Sequence, residues 1–205
     1  MKTEKGKIAV LLSGRGSNFE AIHKNSDKEN SIFKISLVIS DKKNAKGLKT
    51  SDKLGIPTFL VRPKDFKTKD EYEKYLITLF IKYEIDLICL AGFMRIISPV
   101  LIRSYPNKII NIHPSLLPSF PGLNAQKQAI DSGVKISGCT VHFVDEGIDS
   151  GPIIMQECVR IENGDDEESL SAKILKAEHR VYSEVIKLFF QKKLKINGRR
   201  VKILS

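Results

Sequence analysis

Ile8-Ala9-Val10-Leu11-Leu12-Ser13-Gly14-Arg15-Gly16-Ser17-Asn18 begins as a short apolar run, breaks at a serine and glycine, and leads into an amphipathic stretch opened by Asn18. A strand, a glycine-rich loop and a helix in that order form the first repeat of an alternating chain. Further apolar runs at 33–39, 58–61, 87–90 and 109–112 are expected to be strands. Helices are expected between them at 45–54 and 70–83, the second with Tyr72, Tyr75, Leu76, Leu79 and Phe80 at helical spacing. Strands that are apolar along their whole length imply a sheet covered on both faces, and alternation with helices implies parallel strands. The expected fold is therefore α/β, a doubly wound and mostly parallel sheet with a Rossmann-like N-terminal half.

Beyond Gly133 the pattern changes. Two longer β-rich runs, 134–144 and 153–161, have no helix between them and are joined by a turn-rich segment, which predicts a β-hairpin extension. A long C-terminal helix follows over 167–190, with Leu170, Ile174, Val181, Val185 and Phe189 as core positions.

The 205 residues suit a single domain, and hydrophobic and charged fractions of 41% and 28% are those of a folded globular chain. The first apolar run is too short for a signal sequence, and no stretch approaches the roughly 18 uninterrupted apolar residues of a membrane span. A cytoplasmic protein without membrane association is expected. Cys89, Cys139 and Cys158 are widely spaced in apolar runs, which predicts buried packing residues rather than disulfides. His23, His113, His142 and His179 form no close pair at metal-ligand spacing, so no metal is expected. The net charge of +10 favours anionic partners, but its lysines, as at Lys42-Lys43 and Lys192-Lys193, are dispersed; this reads as a solvated surface, and no nucleic-acid partner is expected.

Three segments carry candidate chemistry. The loop from Ser13 to Asn18 follows a strand and opens a helix, where backbone N–H groups and the helix dipole can receive a phosphate. It is no Walker loop, and Phe19 stands where a dinucleotide fingerprint has its third glycine. A capped tight turn remains the alternative. Asn111-Ile112-His113-Pro114-Ser115-Leu116-Leu117-Pro118 ends a buried strand with polar groups; alternation puts Asn111 and His113 on one side, an amide donor beside a group that titrates near neutrality. Asp145-Glu146-Gly147-Ile148-Asp149-Ser150-Gly151-Pro152 reads locally as an exposed acidic loop. Were it to fold back near His113, a carboxylate there would favour the imidazolium. His142 reads first as a structural histidine, with a supporting role behind the chemistry as the alternative, and Glu178-His179 as an exposed helical pair. No Gly-x-Ser-x-Gly elbow or activated cysteine is present, so acid/base and electrostatic catalysis is favoured over a covalent route.

These segments, together with Leu90-Ala91-Gly92-Phe93-Met94-Arg95-Ile96, resemble the phosphoribosylglycinamide formyltransferases, a folate-dependent family of purine biosynthesis, in order and spacing from about Ile8 to the last helix. The resemblance implies transfer of the formyl group of 10-formyltetrahydrofolate, as co-substrate, to the amine of glycinamide ribonucleotide. It implies catalytic roles for Asn111, His113 and Asp149, and ribonucleotide contacts from Gly16, Ser17, Asn18 and Glu178. Folate contacts are implied for Lys69, Met94, Arg95, Ile96, Ile97, Asn111 and Asp145. Lys69 stands where the family often has an arginine, which keeps the charge and loses the bidentate fork. One formyltransferase domain over 1–205 is expected, with a nucleotide-binding half at 1–110 and a catalytic and folate-binding half at 111–205. A monomer or homodimer is expected. Methionyl-tRNA formyltransferase adds a tRNA domain for which there is no room after Ser205, and formyltetrahydrofolate hydrolase has a His-His pair where this chain has His113-Pro114.

Overall fold

The computed structural model describes residues 4–205. The chain divides into two compact units, Met1–Ile110 and Asn111–Ser205. In the first, β1 (Gly6–Leu12), α1 (Ser17–Ser26), β2 (Phe33–Ser40), α2 (Lys46–Lys53) and β3 (Thr58–Leu60) alternate. A 3-10 turn at Pro63–Asp65, α3 (Lys69–Lys82), β4 (Leu87–Leu90) and α4 (Pro99–Ser104) follow, and β5 (Ile109–His113) runs into the second unit. Strands of the first unit lie in the order β3-β2-β1-β4 and every pairing is parallel. The Ile88 N–H donates to the Lys108 carbonyl at 2.8 Å, leading β5 in beside β4. Because the chain winds outward from β1 to β3 and then returns to β4, the order reverses between β1 and β4. Their carboxyl ends open the crevice where ligands of such sheets bind.

The strands are buried because they are apolar along their length: residues 8–12 of β1 and 87–89 of β4 have no exposed surface. On α3 the buried face is Tyr72, Glu73, Leu76, Leu79 and Phe80. Tyr75, expected in that core, is 41% exposed, and the carboxylate of Glu73 takes the inward place instead. It can do so because α4 offers donors: Glu73 Oε1 accepts the Ser98 N–H at 2.8 Å, and Oε2 accepts the Ser98 hydroxyl and the Leu101 N–H.

The second unit contains α5 (Ala125–Asp131), β6 (Ile136–Phe143), β7 (Ile153–Arg160), α6 (Glu167–Phe190), β8 (Leu194–Asn197) and β9 (Arg200–Ile203). β6 and β7 form the antiparallel hairpin, and β9 joins β7 in parallel, with β8 outside it. A capping box opens α6, where Asp166 accepts the Ser169 N–H and the Ser169 hydroxyl accepts the Asp166 N–H. Leu170, Ile174, Val181 and Val185 are buried as their spacing implies, and α6 packs on β6 and β7. Phe189 is half-buried. Cys89 and Cys139 are buried but Cys158 is exposed, because β7 buries alternate residues. The fold is thus α/β with a mostly parallel sheet, a Rossmann-like first half, a hairpin extension and a long C-terminal helix. Helices α4 and α5 and the β8–β9 hairpin add to the elements expected.

Candidate active site

Strand β5 delivers Asn111 half-buried and His113 5% exposed at its carboxyl end. After Pro114 the chain doubles back. The Thr140 hydroxyl on β6 donates to the Ser115 carbonyl at 2.7 Å and accepts the Leu117 N–H at 3.0 Å, tying the turn to the hairpin. This return brings the Phe120 carbonyl to 2.9 Å from His113 Nε2. Asp149 arrives from the loop between β6 and β7, in the left-handed region at φ 49°. Its Oδ2 lies 3.2 Å from His113 Nδ1 and accepts the Gly122 N–H at 2.9 Å. Its Oδ1 accepts from Asn111 Nδ2 at 3.4 Å. Three residues up to 38 positions apart therefore meet around one carboxylate.

The protonation pattern follows from the partners. Both ring nitrogens of His113 face acceptors, a carbonyl and a carboxylate, and the imidazolium satisfies both at once. Burial pushes the Asp149 carboxyl up, but the neighbouring His142, the Gly122 N–H and the charge of His113 outweigh it. The net direction is below the ordinary carboxylate value, so Asp149 is anionic at neutral pH.

His142, expected to be structural, belongs to this cluster. It is 2% exposed, its Nδ1 faces the Phe143 carbonyl at 2.8 Å, and its Nε2 lies 3.2 Å from Asn111 Nδ2 and 3.7 Å from Asp149 Oδ1. A carbonyl only accepts, so Nδ1 carries the hydrogen. Nε2 is then an acceptor and takes one hydrogen of the Asn111 amide, while Asp149 takes the other. The alternation along β6 that aligns Thr140 and His142 toward the polar side was the available signal. Asp145 turns back on its own loop, where Oδ1 accepts the Gly147 N–H at 3.1 Å and the Ser150 hydroxyl at 2.7 Å. Gly151 permits the loop to close on β6, because a Cβ there would stand 1.8 Å from the Phe143 carbonyl oxygen. Glu178, read locally as exposed, is 7% exposed on the inner face of α6. Burial first, and then its charge, pushes the nearby Cys139 thiol up to about 12, which keeps that cysteine unreactive.

In the first unit, Gly16 adopts φ 85° ahead of α1, Ser17 occupies the first helical position and Asn18 is 8% exposed. Gly16 and Gly47 touch backbone to backbone: a Cβ on Gly16 would come within 2.8 Å of Gly47 Cα. Across the crevice mouth, the Ser13 N–H donates to the Gly92 carbonyl at 3.0 Å. The 94–97 segment follows, with Met94 and Ile96 exposed at 65% and 60% and Ile97 buried. A cavity of about 240 Å³ lies against it, lined by Phe66, Lys69, Phe93, Arg95, Ile96 and Ile97 among others. Apolar walls with three cations, Lys67, Lys69 and Arg95, suit a flat molecule that carries carboxylates. Among the described residues, no group of three or more His, Cys, Asp or Glu side chains is placed to hold a metal ion, and no helix is long and apolar enough to cross a membrane.

Residues 6–186 match the formyl transferase family model. The chain is 46% identical over 181 residues to the phosphoribosylglycinamide formyltransferase of Bacillus subtilis (strain 168), covering 88% of this chain and 93% of that protein. It is 43% identical over 188 residues to the trifunctional purine biosynthetic protein adenosine-3 of Gallus gallus, covering 92% of this chain but 19% of that protein. The chain thus spans about a fifth of the length of such trifunctional relatives. The crystal structure of glycinamide ribonucleotide transformylase 1 from Symbiobacterium toebii superposes with a TM-score of 0.96 at 43% identity, over 98% of this chain and 95% of that one. The chain belongs to the formyl transferase family.

Proposed function

We propose that this protein transfers the formyl group of 10-formyltetrahydrofolate to the amine of 5-phosphoribosylglycinamide, yielding the formylated ribonucleotide and tetrahydrofolate in de novo purine biosynthesis. The observation that carries this reading is the Asn111, His113 and Asp149 cluster, with its imidazole set between a carboxylate and a carbonyl, in a chain of the formyl transferase family. Gly16, Ser17 and Asn18 receive the ribonucleotide phosphate on backbone N–H groups, with Glu178 as a further contact to that substrate. Lys69, Arg95, Ile96 and Ile97 hold the folate in their shared cavity, with Met94 beside them and Asp145 as a further folate contact.

The residues divide the chemistry. The neutral substrate amine attacks the formyl carbon, and negative charge develops on the formyl oxygen. The Asn111 amide donates to that oxygen, and so does the His113 imidazolium, which gives up its bond to the Phe120 carbonyl. The bond to the folate nitrogen breaks as that nitrogen takes a proton from His113, and the proton that the amine loses as the new C–N bond forms returns the imidazole to its charged form. Asp149 orients the imidazole throughout and favours its charged form before the proton leaves and after it is restored. Both hydrogens of Asn111 are already held by His142 and Asp149, so the amide is aimed before substrate arrives and gives up one weak bond to the oxyanion. The whole chain acts as one formyltransferase domain in the cytoplasm, as a monomer or homodimer, with no metal.

Incubation with glycinamide ribonucleotide and 10-formyltetrahydrofolate tests the proposal, following formylated product and tetrahydrofolate in equal amounts. Tetrahydrofolate released at the same rate without the ribonucleotide would identify a hydrolase instead.

A further inference from the structure

Asp41 immediately follows β2, and its side chain is 1% exposed although nothing in the chemistry above uses it. A buried carboxylate persists only where donors meet it. Ser13, the first residue of the glycine loop, donates its hydroxyl to Asp41 Oδ1 at 2.6 Å. The same hydroxyl oxygen accepts the Met94 N–H at 2.9 Å. Arg95 Nη1 reaches Asp41 Oδ2 at 3.5 Å. With the bond from Ser13 N–H to the Gly92 carbonyl, these contacts close a ring that joins the glycine loop to the 92–95 segment at the strand-order reversal. Asp41 is the only anion in the ring. It sets the position of two successive residues of the segment, Met94 through the serine hydroxyl and Arg95 through charge.

We propose that Asp41 is a positioning residue for the formyl donor, holding the Met94 backbone in place through Ser13 and the Arg95 guanidinium directly by charge, without touching substrate. The proposal rests on the functional reading above, in which Met94 and Arg95 face the folate. Asp41→Asn keeps the shape and can still accept from Ser13, but leaves Arg95 without its counter-charge. Ser13→Ala removes the other arm. Each variant should raise the KM for 10-formyltetrahydrofolate about tenfold, with kcat at saturating folate and the ribonucleotide KM each within about twofold of wild type. The double variant should raise that KM beyond either single one, because the two changes cut different arms of the ring.

A merely structural defect would lower the active fraction, and so kcat, and leave both KM values alone; that outcome in both variants overturns the proposal. So does an unchanged folate KM in Asp41→Asn, or a double variant no worse than the poorer single one. Calorimetric titration with tetrahydrofolate separates the two levels of inference. Wild type that binds the folate no better than Asp41→Asn overturns the role of Asp41 alone, whereas wild type that binds none overturns the functional reading and this proposal with it.

Discussion

His113 lies between an acceptor that never changes and one that can be removed. The Phe120 carbonyl is part of the backbone, but Asp149 is a side chain, and exchanging it for asparagine removes the charge that favours the imidazolium. We expect His113→Ala and Asp149→Asn each to lower kcat at least about a hundredfold, with circular dichroism unchanged; a near-normal rate in either removes that residue from the mechanism. Asp149 also leaves a mark on stability. Its folded value is lowered relative to the ordinary 3.8, so its contribution is complete above that value and is lost as pH falls through the lower folded value. Thermal melts from pH 6 to pH 3 should show wild type losing its advantage over Asp149→Asn toward the acid end. A constant gap across that range would argue against the assigned charge state. His142 aims an amide rather than meeting substrate, so His142→Ala should lower kcat about tenfold with both KM values nearly unchanged. Steady-state kinetics that instead show a raised KM with normal kcat would make His142 a binding residue.

Among the elements, the contact between the turn before α1 and the start of α2 depends on two facing glycines. A Cβ on Gly47 would stand 2.6 Å from Leu12 Cδ2 and 3.2 Å from Gly16 Cα, and Leu12 is wholly buried with nowhere to go. Gly47→Ala should therefore push the glycine loop outward and raise the ribonucleotide KM about fivefold or more, while the folate KM holds; equal ribonucleotide KM values would show that the loop does not bind that substrate through its backbone. The α3 to α4 junction depends on Glu73, whose carboxylate meets only donors. Glu73→Gln would set an amide NH2 against them and cost about 2–3 kcal/mol. In a chain of this length that lowers Tm by about 5 °C or more, and an unchanged melt would show that the carboxylate is not the cap.

For the molecule as a whole, a net charge of +10 meets two anionic substrates in the proposed reaction. Attraction of that kind is screened within a Debye length of about 8 Å at physiological ionic strength, so both KM values should rise a few-fold between 50 and 500 mM salt while kcat changes less. Retention on generic DNA at physiological salt would contradict the reading of the lysines as a dispersed solvated surface.

Alternating strands and helices, the glycine turn, the hairpin and α6 were all legible along the chain, because each is written as a short-range period or break within some ten to twenty neighbouring residues. Asn111 and His113 were legible for the same reason, as polar groups two positions apart at the end of a buried strand. Asp149 was not: locally it is an acidic turn residue, and its role comes from a loop that closes 36 residues beyond His113 in the chain. Glu178 was misread locally, His142 was left between two readings, and Glu73 was passed over, for a related reason. A polar residue inside an apolar period signals either solvent or a partner, and local sequence does not distinguish them. The partner stands on another element, and only packing brings the two within hydrogen-bonding reach.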